Sequence, residues 1–476
     1  MENGLAARNG GRIGLAALVA VLLLGLGLRG GEAWDGRPPV FDAAAYAAIA
    51  ANLEEGNGFT VGPEATQPSS NYSPGLPLFV AGLYELTGGE HERFARLVLA
   101  LIGSLSVLFA YLIARRLGGL VARRSPDRPA SSEVGPATVV PALVGALAVA
   151  VYPALLEYQG MLMSEPLAAT LLSGGVLALL WAWDERRGND AQGRHLLRWL
   201  LPGALFGALA MVRPEYLGVA ALVAAAIFAR EARNDRRRSL LRAAVFLSAL
   251  VVVIAPWTIR NAVALDRFVP ISTGGGQVLF AGTYLPSDGD PEKVGAEVVA
   301  RNPQLFAPQD AQRLRLEQIL ERLAAARYPG METDQALSKM GKEQLRDNVT
   351  EEPVEYAGFV AAKVARVWSH GPRDIMRDLG WEALHWALVA CGLLGLAVLA
   401  WRRRWEALLL GTIFLAIAAV SALLVASPRR VLVLVPLLAA LSPVGIDWIR
   451  HRFQHLGPYG GQKGGNVPAA DSLGRL

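Results

Sequence analysis

Apolar runs long enough to cross a hydrocarbon core recur along this whole sequence, and nothing else constrains its fold as strongly. A helix needs about 20 such residues to span that core. Candidate spans fall at 13–28, 94–117, 137–156, 164–183, 196–212, 216–229, 240–259, 381–400, 407–426 and 431–449. In lipid every backbone amide must find a partner, and Leu- and Ala-rich runs of this length do so as helices. The chain is therefore expected to be an all-α, polytopic integral membrane protein. Two runs, 196–212 and 216–229, are short for a span, and Pro214 between them marks a break or hairpin. Another apolar segment, 78–86, is shorter still and suits an interfacial or re-entrant piece. The first run follows Arg8 and Arg12, but no small-residue cleavage site follows it cleanly, so it reads as a retained helix.

The net charge of +5 raises the question of nucleic acid. The basic residues, however, sit between apolar runs, where topology signals belong, and no compact basic domain is left over to bind a polynucleotide. With a cytoplasmic N-terminus the basic linkers all fall on the cytoplasmic side. They are Arg115, Arg116, Arg123, Arg124 and Arg128; the stretch from Asp184 to Arg194; that from Arg230 to Arg238; Arg402 to Arg404; and Arg450 with Arg452. The loops at 30–93, 157–163, 213–215, 260–380 and 427–430 are then external. The fourth is the longest. Its helical periodicity at 309–326 and 353–368 predicts a small helical external domain, with an irregular stretch at 286–308 where Pro and Gly punctuate it. Expected boundaries are an N-terminal membrane module at 1–262, a loop domain at 263–380, C-terminal membrane helices at 381–450 and a Gly-rich, disordered cytoplasmic tail at 451–476. The single cysteine, Cys391, lies in an apolar run, which leaves no disulfide framework and no cysteine metal site.

The informative residues are those a membrane protein should avoid. Asp42 opens an alanine-rich helix with Tyr46 at i+4, and a plain N-cap would account for it. Glu165 lies at the outer end of a span, where Ser164 would cap the helix and the helix dipole would favour an acid. Yet ionisable groups at the edge of a bilayer also mark functional sites. Arg213, Pro214 and Glu215 form a turn that holds two charges near the membrane surface, where snorkelling alone would suffice. Ser427-Pro428-Arg429-Arg430 puts an arginine pair on the side where topology asks for none. Such a pair suits a phosphate, whose oxygens match the planar guanidinium donors, or an interfacial anchor. Together these residues place two carboxylates and several arginines on one face of one membrane. That is the chemistry for activating a hydroxyl and stabilising a departing phosphate.

Four segments carry a resemblance. They are the stretch from Phe41 and Asp42 to Leu53 with Gly56-Asn57-Gly58; Tyr72-Ser-Pro-Gly-Leu-Pro with Ala95 and Arg96 beyond it; Tyr152-Pro153 through Ser164-Glu165-Pro166; and Arg213-Pro-Glu with Pro256-Trp-Thr-Ile-Arg260-Asn261 and the Gly-rich run that follows Arg267. Over residues 12–450 the chain resembles the GT-C glycosyltransferases that use polyprenyl-phosphate sugars, in particular the protein mannosyltransferase and aminoarabinose transferase group. The resemblance implies a GT-C helical bundle, a polyprenyl-phosphate sugar donor and transfer with inversion. By it, Asp42 is the base and Glu165 faces the same cavity, Arg429 and Arg430 with Arg213 or Arg260 hold the leaving phosphate, and Tyr46, Tyr72 and Glu215 line the cavity for the acceptor. Some members carry an Asp-Glu pair where this chain has Asp42-Ala43, so a divalent metal lacks support and no cofactor is named. Without a β-rich external domain, the expected acceptor is a cell-envelope glycan or lipid. The competing class is a transporter or flippase of lipid-linked saccharides, which would place its charges near the membrane midplane between broken helices.

Overall fold

The computed structural model describes residues 2–61, 68–122, 136–184, 192–369, 371 and 374–454. Arg123, Arg124 and Arg128, the linker 185–191 and the tail beyond 454 lie outside the described residues. The described residues form helices and no strands. In order these are α1 (Glu2–Asp35), α2 (Asp42–Glu54), α3 (Gly75–Thr87), α4 (Glu92–Ala122), α5 (Pro136–Ala150), α6 (Pro153–Gly160), α7 (Ser164–Ala182), α8 (Gln192–Leu197), α9 (Leu200–Val212), α10 (Glu215–Glu231) and α11 (Arg236–Leu265). After them come α12 (Gly275–Thr283), α13 (Val294–Arg301), α14 (Asp310–Arg313), α15 (Leu316–Arg327), α16 (Thr333–Glu351), α17 (Pro353–Ser369), α18 (Leu379–Trp401), α19 (Trp405–Leu423) and α20 (Arg429–Gln454).

This is a multi-pass membrane protein. Among the described residues 8 helices are long and apolar enough to cross a bilayer, and the pair α5 and α6, bent by 42°, makes a ninth candidate. Of the ten expected runs, 216–229 falls in α10, which at 17 residues is shorter than those helices. The bend at α5–α6 has a cause in sequence, since Pro153 begins α6 and lacks the amide that would continue α5. Arg29 seals the break. Its guanidinium donates to the last two carbonyls of α5, Val149 (3.0 Å) and Ala150 (3.1 Å), at a helix end where carbonyls lack partners within the helix. The segment expected at 78–86 is helical from Gly75 to Thr87, and the helix α20 continues through 451–454 into what was expected to be tail.

Lipid gives helices no hydrophobic drive to associate, so close packing between small residues must supply it. A Cβ built on Gly203 of α9 would sit 2.2 Å from the Phe246 carbonyl oxygen of α11, and one on Gly395 of α18 would sit 2.2 Å from that of Leu441 in α20. Gly203→Leu or Gly395→Leu should therefore cost ~1–3 kcal/mol of stability through overpacking. Thermal unfolding in detergent checks this, with Gly218→Leu, at an open position, expected to melt as the parent does.

The linkers after α4, α7, α10 and α18 meet at one end of the bundle. Arg116 pairs with Asp184 (3.3 Å), Arg230 lies over the rings of Trp183 (4.7 Å) and Trp405 (4.1 Å), and Arg402 donates to the Val121 carbonyl (3.0 Å). At the other end a second hydrophobic core forms from Phe280, Val298, Phe306, Ile319, Leu320 and Leu337. It belongs to the segment between α11 and α18. The stretch 286–308, expected to be irregular, contains α13, whose Val294, Val298 and Val299 face this core. Gly289, Pro291 and Pro303 flank that helix, and Gly295 lies within its first turn. Likewise the glycine run after Arg267 opens α12. Gly274, at φ 91°, takes the left-handed turn that an L side chain resists, and Gly276 is pressed against the Asp334 main chain.

Candidate active site

The site is built from helix ends. Phe41, at φ 51° and ψ −125°, turns the chain into α2 through a conformation that L residues rarely adopt. Asp42 is the first residue of α2 and makes no capping hydrogen bond, so the N-cap explanation of it fails. Glu165 is the second residue of α7, and Ser164 does not cap that helix. Arg213 ends α9, Pro214 fixes the turn, and Glu215 opens α10. Arg429 and Arg430 open α20. Four helix N-termini thus meet here, and their exposed amides and dipoles make the region favourable to negative charge.

The side chains join in one line. Arg429 donates from Nη1 to Asp42 Oδ2 (2.8 Å) and from Nε to Glu165 Oε1. Arg213 Nη1 lies 3.2 Å from the same Glu165 oxygen, and its Nε donates to Glu215 Oε1 (2.8 Å). The order is Asp42, Arg429, Glu165, Arg213, Glu215. Exposure grades along it: the Glu165 side chain is 0% exposed, Arg213 14%, Arg429 31% and Asp42 39%. Glu165 is the enclosed floor and Asp42 stands at the mouth. Snorkelling does not describe Arg213, which is turned inward.

Tyr46 lies one turn beyond Asp42, is buried, and meets Tyr72 edge-on with centroids 5.8 Å apart. Burial, and then the Asp42 carboxylate, pushes both phenols above their ordinary range, so they remain neutral hydrogen-bonding groups. Arg430 donates to the Val425 carbonyl, and its Nε is buried without a hydrogen-bond partner. Arg260 is engaged elsewhere. It donates to the Ser69 carbonyl (2.9 Å) and lies over the rings of Phe59 (5.6 Å) and Trp257 (4.9 Å), where it fastens the first long loop to α11.

Sequence reasoning missed two residues. Tyr158 of α6 lies beneath the Arg429 guanidinium at 5.7 Å, and its only signal was its place beside Glu157 in a quoted motif. Lys363 of α17 is fully buried on that helix's apolar face, with Tyr356, Phe359 and Val367. Among the described residues no three acids, histidines or cysteines group to hold a metal ion. Between Asp42 and Glu165, where a cation would bridge the two carboxylates, stands the guanidinium of Arg429, so as arranged this pair does not fit a metal.

A helical membrane bundle with an acid–arginine line at one end defines the class, and solved oligosaccharyltransferase structures share its fold. The chain is similar to the archaeal oligosaccharyltransferase AglB from Archaeoglobus fulgidus in complex with an inhibitory peptide and a dolichol-phosphate, with 18% identity, TM-score 0.55, and 97% of this chain and 52% of that one covered. The apo form of the Archaeoglobus fulgidus oligosaccharyltransferase gives 15% identity and TM-score 0.54, over 93% of this chain and 52% of that one. ArnT from Cupriavidus metallidurans bound to undecaprenyl phosphate aligns over 93% of this chain and 78% of that one, with 15% identity and TM-score 0.41. The chain spans about half the length of the oligosaccharyltransferases. No protein-family model and no curated protein matches the sequence.

Proposed function

We propose that this chain is a glycosyltransferase that moves a sugar from a polyprenyl-phosphate donor to a glycan or lipid acceptor of the cell envelope, with inversion. The observation that carries the reading is the continuous line Asp42–Arg429–Glu165–Arg213–Glu215 at the end of the bundle remote from the basic linkers. Basic linkers stay on the cytoplasmic side, so the line faces outward across the plasma membrane. The segment 263–380 then acts as an external helical domain over the site, between membrane modules at 1–262 and 381–450. AglB, which shares the fold, has been solved with dolichol-phosphate, a lipid phosphate of the class proposed here.

In this reading Asp42 is the base. Arg429 donates to its Oδ2, which leaves Oδ1 for an acceptor hydroxyl. The hydroxyl oxygen attacks the anomeric carbon from the face opposite the phosphate and its proton passes to Asp42. The bond from anomeric carbon to phosphate oxygen breaks with its electron pair on the oxygen, so the phosphate goes from one negative charge to two. Arg429 uses Nε and Nη1 on the carboxylates, which leaves its Nη2 protons for that phosphate, alongside Arg430 and the first amides of α20. Glu165 positions Arg429 from below.

Incubating the purified protein with a radiolabelled polyprenyl-phosphate sugar and a membrane extract tests the activity. Label on a glycan or lipid is the expected result; label moved across the membrane without a new bond would instead make the protein a transporter. Arg429→Gln and Arg430→Gln are each expected to weaken undecaprenyl phosphate binding by roughly 10- to 100-fold, the value of one charge-assisted hydrogen bond. Unchanged affinity in a calorimetric titration would remove the phosphate role.

A further inference from the structure

Lys363 is the buried cation that the proposed reaction does not use. Its amine donates to two main-chain carbonyls, those of Gly282 in the last turn of α12 and Ala422 (2.8 Å) in the last turn of α19. Both carbonyls belong to helix C-termini, where unsatisfied oxygens carry the negative end of the dipole. One lysine therefore ties the loop segment to the membrane bundle. The tie lies just ahead of the strap 424–428, which hands the chain on to Arg429. That strap is held again from α12, since the Val425 amide donates to Val278 (3.2 Å), and Arg430 closes on the Val425 carbonyl from the other side. Gly289 packs against the lysine's methylenes so closely that a Cβ there would sit 2.4 Å from its Cγ.

The charges around the amine are few. Neither α12 nor the strap carries an ionisable residue, and the one acid of α19, Glu406, lies in its first turn at the far end. Asp288 and Asp290 flank Gly289, with Asp288 exposed and paired to Lys293 (3.8 Å), and Arg366 follows one turn along α17. From α20 comes Arg430, the charge that acts on the amine. An ammonium enclosed beside a guanidinium, with dipoles for partners, is poorly compensated until an anion arrives.

We propose that Lys363 is a proton-linked positioning residue for the donor phosphate: it holds the strap that places Arg429 and Arg430, and it takes up a proton when a lipid phosphate settles against that arginine pair. This rests on the glycosyltransferase reading, since it requires a phosphate at the start of α20. Burial, and then Arg430, brings the amine down to about 7, so near neutral pH a modest added field decides its charge. By linkage, a phosphate that favours the ammonium binds more tightly as pH falls, and its binding draws a proton from solution. The second charge released onto the phosphate by bond cleavage would be met by the same ammonium.

The test is calorimetry of the purified full-length protein with undecaprenyl phosphate at pH 7.5, in buffers of different ionisation enthalpy. With burial and Arg430 holding the amine well below the usual lysine range, the parent should take up a measurable fraction of a proton beyond what Lys363→Met or Lys363→Arg takes up. Subtracting the variants removes the titration of the phosphate itself. Lys363→Arg keeps its charge throughout, so it should bind with an affinity less dependent on pH than the parent's between pH 6.5 and 8.5, and it carries the comparison if Lys363→Met fails to fold. Equal proton counts in parent and variants would overturn the inference while leaving the binding reading intact. No binding by the parent at any pH would instead overturn the glycosyltransferase reading.

Discussion

Asp42→Asn is expected to lower sugar transfer by ~10²–10⁴-fold, the usual contribution of a positioned general base. The amide is nearly the same size and its oxygen can still accept from Arg429 Nη1, so the bridge to α20 survives in weakened form. What is lost is the capacity to take the acceptor's proton. The Asp42 side chain is 39% exposed, so its charge is not buried against a partner that would be left stranded. Membrane insertion, detergent melting and undecaprenyl phosphate affinity should therefore stay close to the parent, and the loss should fall on kcat rather than KM. A variant within tenfold of normal kcat would take the base role from Asp42. Asp42→Glu provides a second check. It keeps the base but lengthens the reach by one methylene, and should recover part of the rate only if geometry at this atom matters.

The spans were legible because length and apolarity settle them without knowledge of packing. The charged residues of the candidate site were legible for a related reason: an acid or arginine at the end of a span is costly, so Glu165, Arg213, Glu215, Arg429 and Arg430 stand out against their surroundings. Their connection was not legible. Arg429 meets Asp42 across 387 residues and Glu165 across 264, and nothing in local spacing says which arginine falls between which acids. The sequence suggested two arginines free for phosphate, whereas one of them is already committed to two carboxylates. Arg260 shows the same limit, since its motif resembles a site residue while its side chain serves the loop at Ser69. Lys363 did carry a signal. It occupies the fourth-residue step between Phe359 and Val367 on an otherwise apolar helical stripe, a position where a lysine must find partners in the interior. The helix α13 was hidden for the opposite reason, because eight residues, with Gly295 among them, give too short a window for periodicity to speak.

Replacing Glu165 should fail differently from replacing Asp42, and the difference separates floor from mouth. Glu165→Gln removes the one negative charge shared by Arg213 and Arg429, at a side chain with no exposure. Breaking a buried ion pair from one side costs ~3–5 kcal/mol, because the partner cation is left uncompensated where water cannot reach it. Here the cost should lie toward the lower figure, since Arg213 keeps Glu215 and Arg429 keeps Asp42. Even so, the variant should melt well below the parent in detergent, whereas Asp42→Asn should not. Transfer should fall too, because Arg429 loses the bond that fixes its Nε and with it the placement of Asp42 and the phosphate. Charge rather than shape is the claim, and Glu165→Gln combined with Arg213→Gln decides it. Removing the surplus cation as well should restore part of the lost melting temperature without restoring transfer. A single Glu165→Gln variant that melts like the parent would mean that Arg213 and Arg429 find water when the carboxylate goes, and that the floor of this site is open.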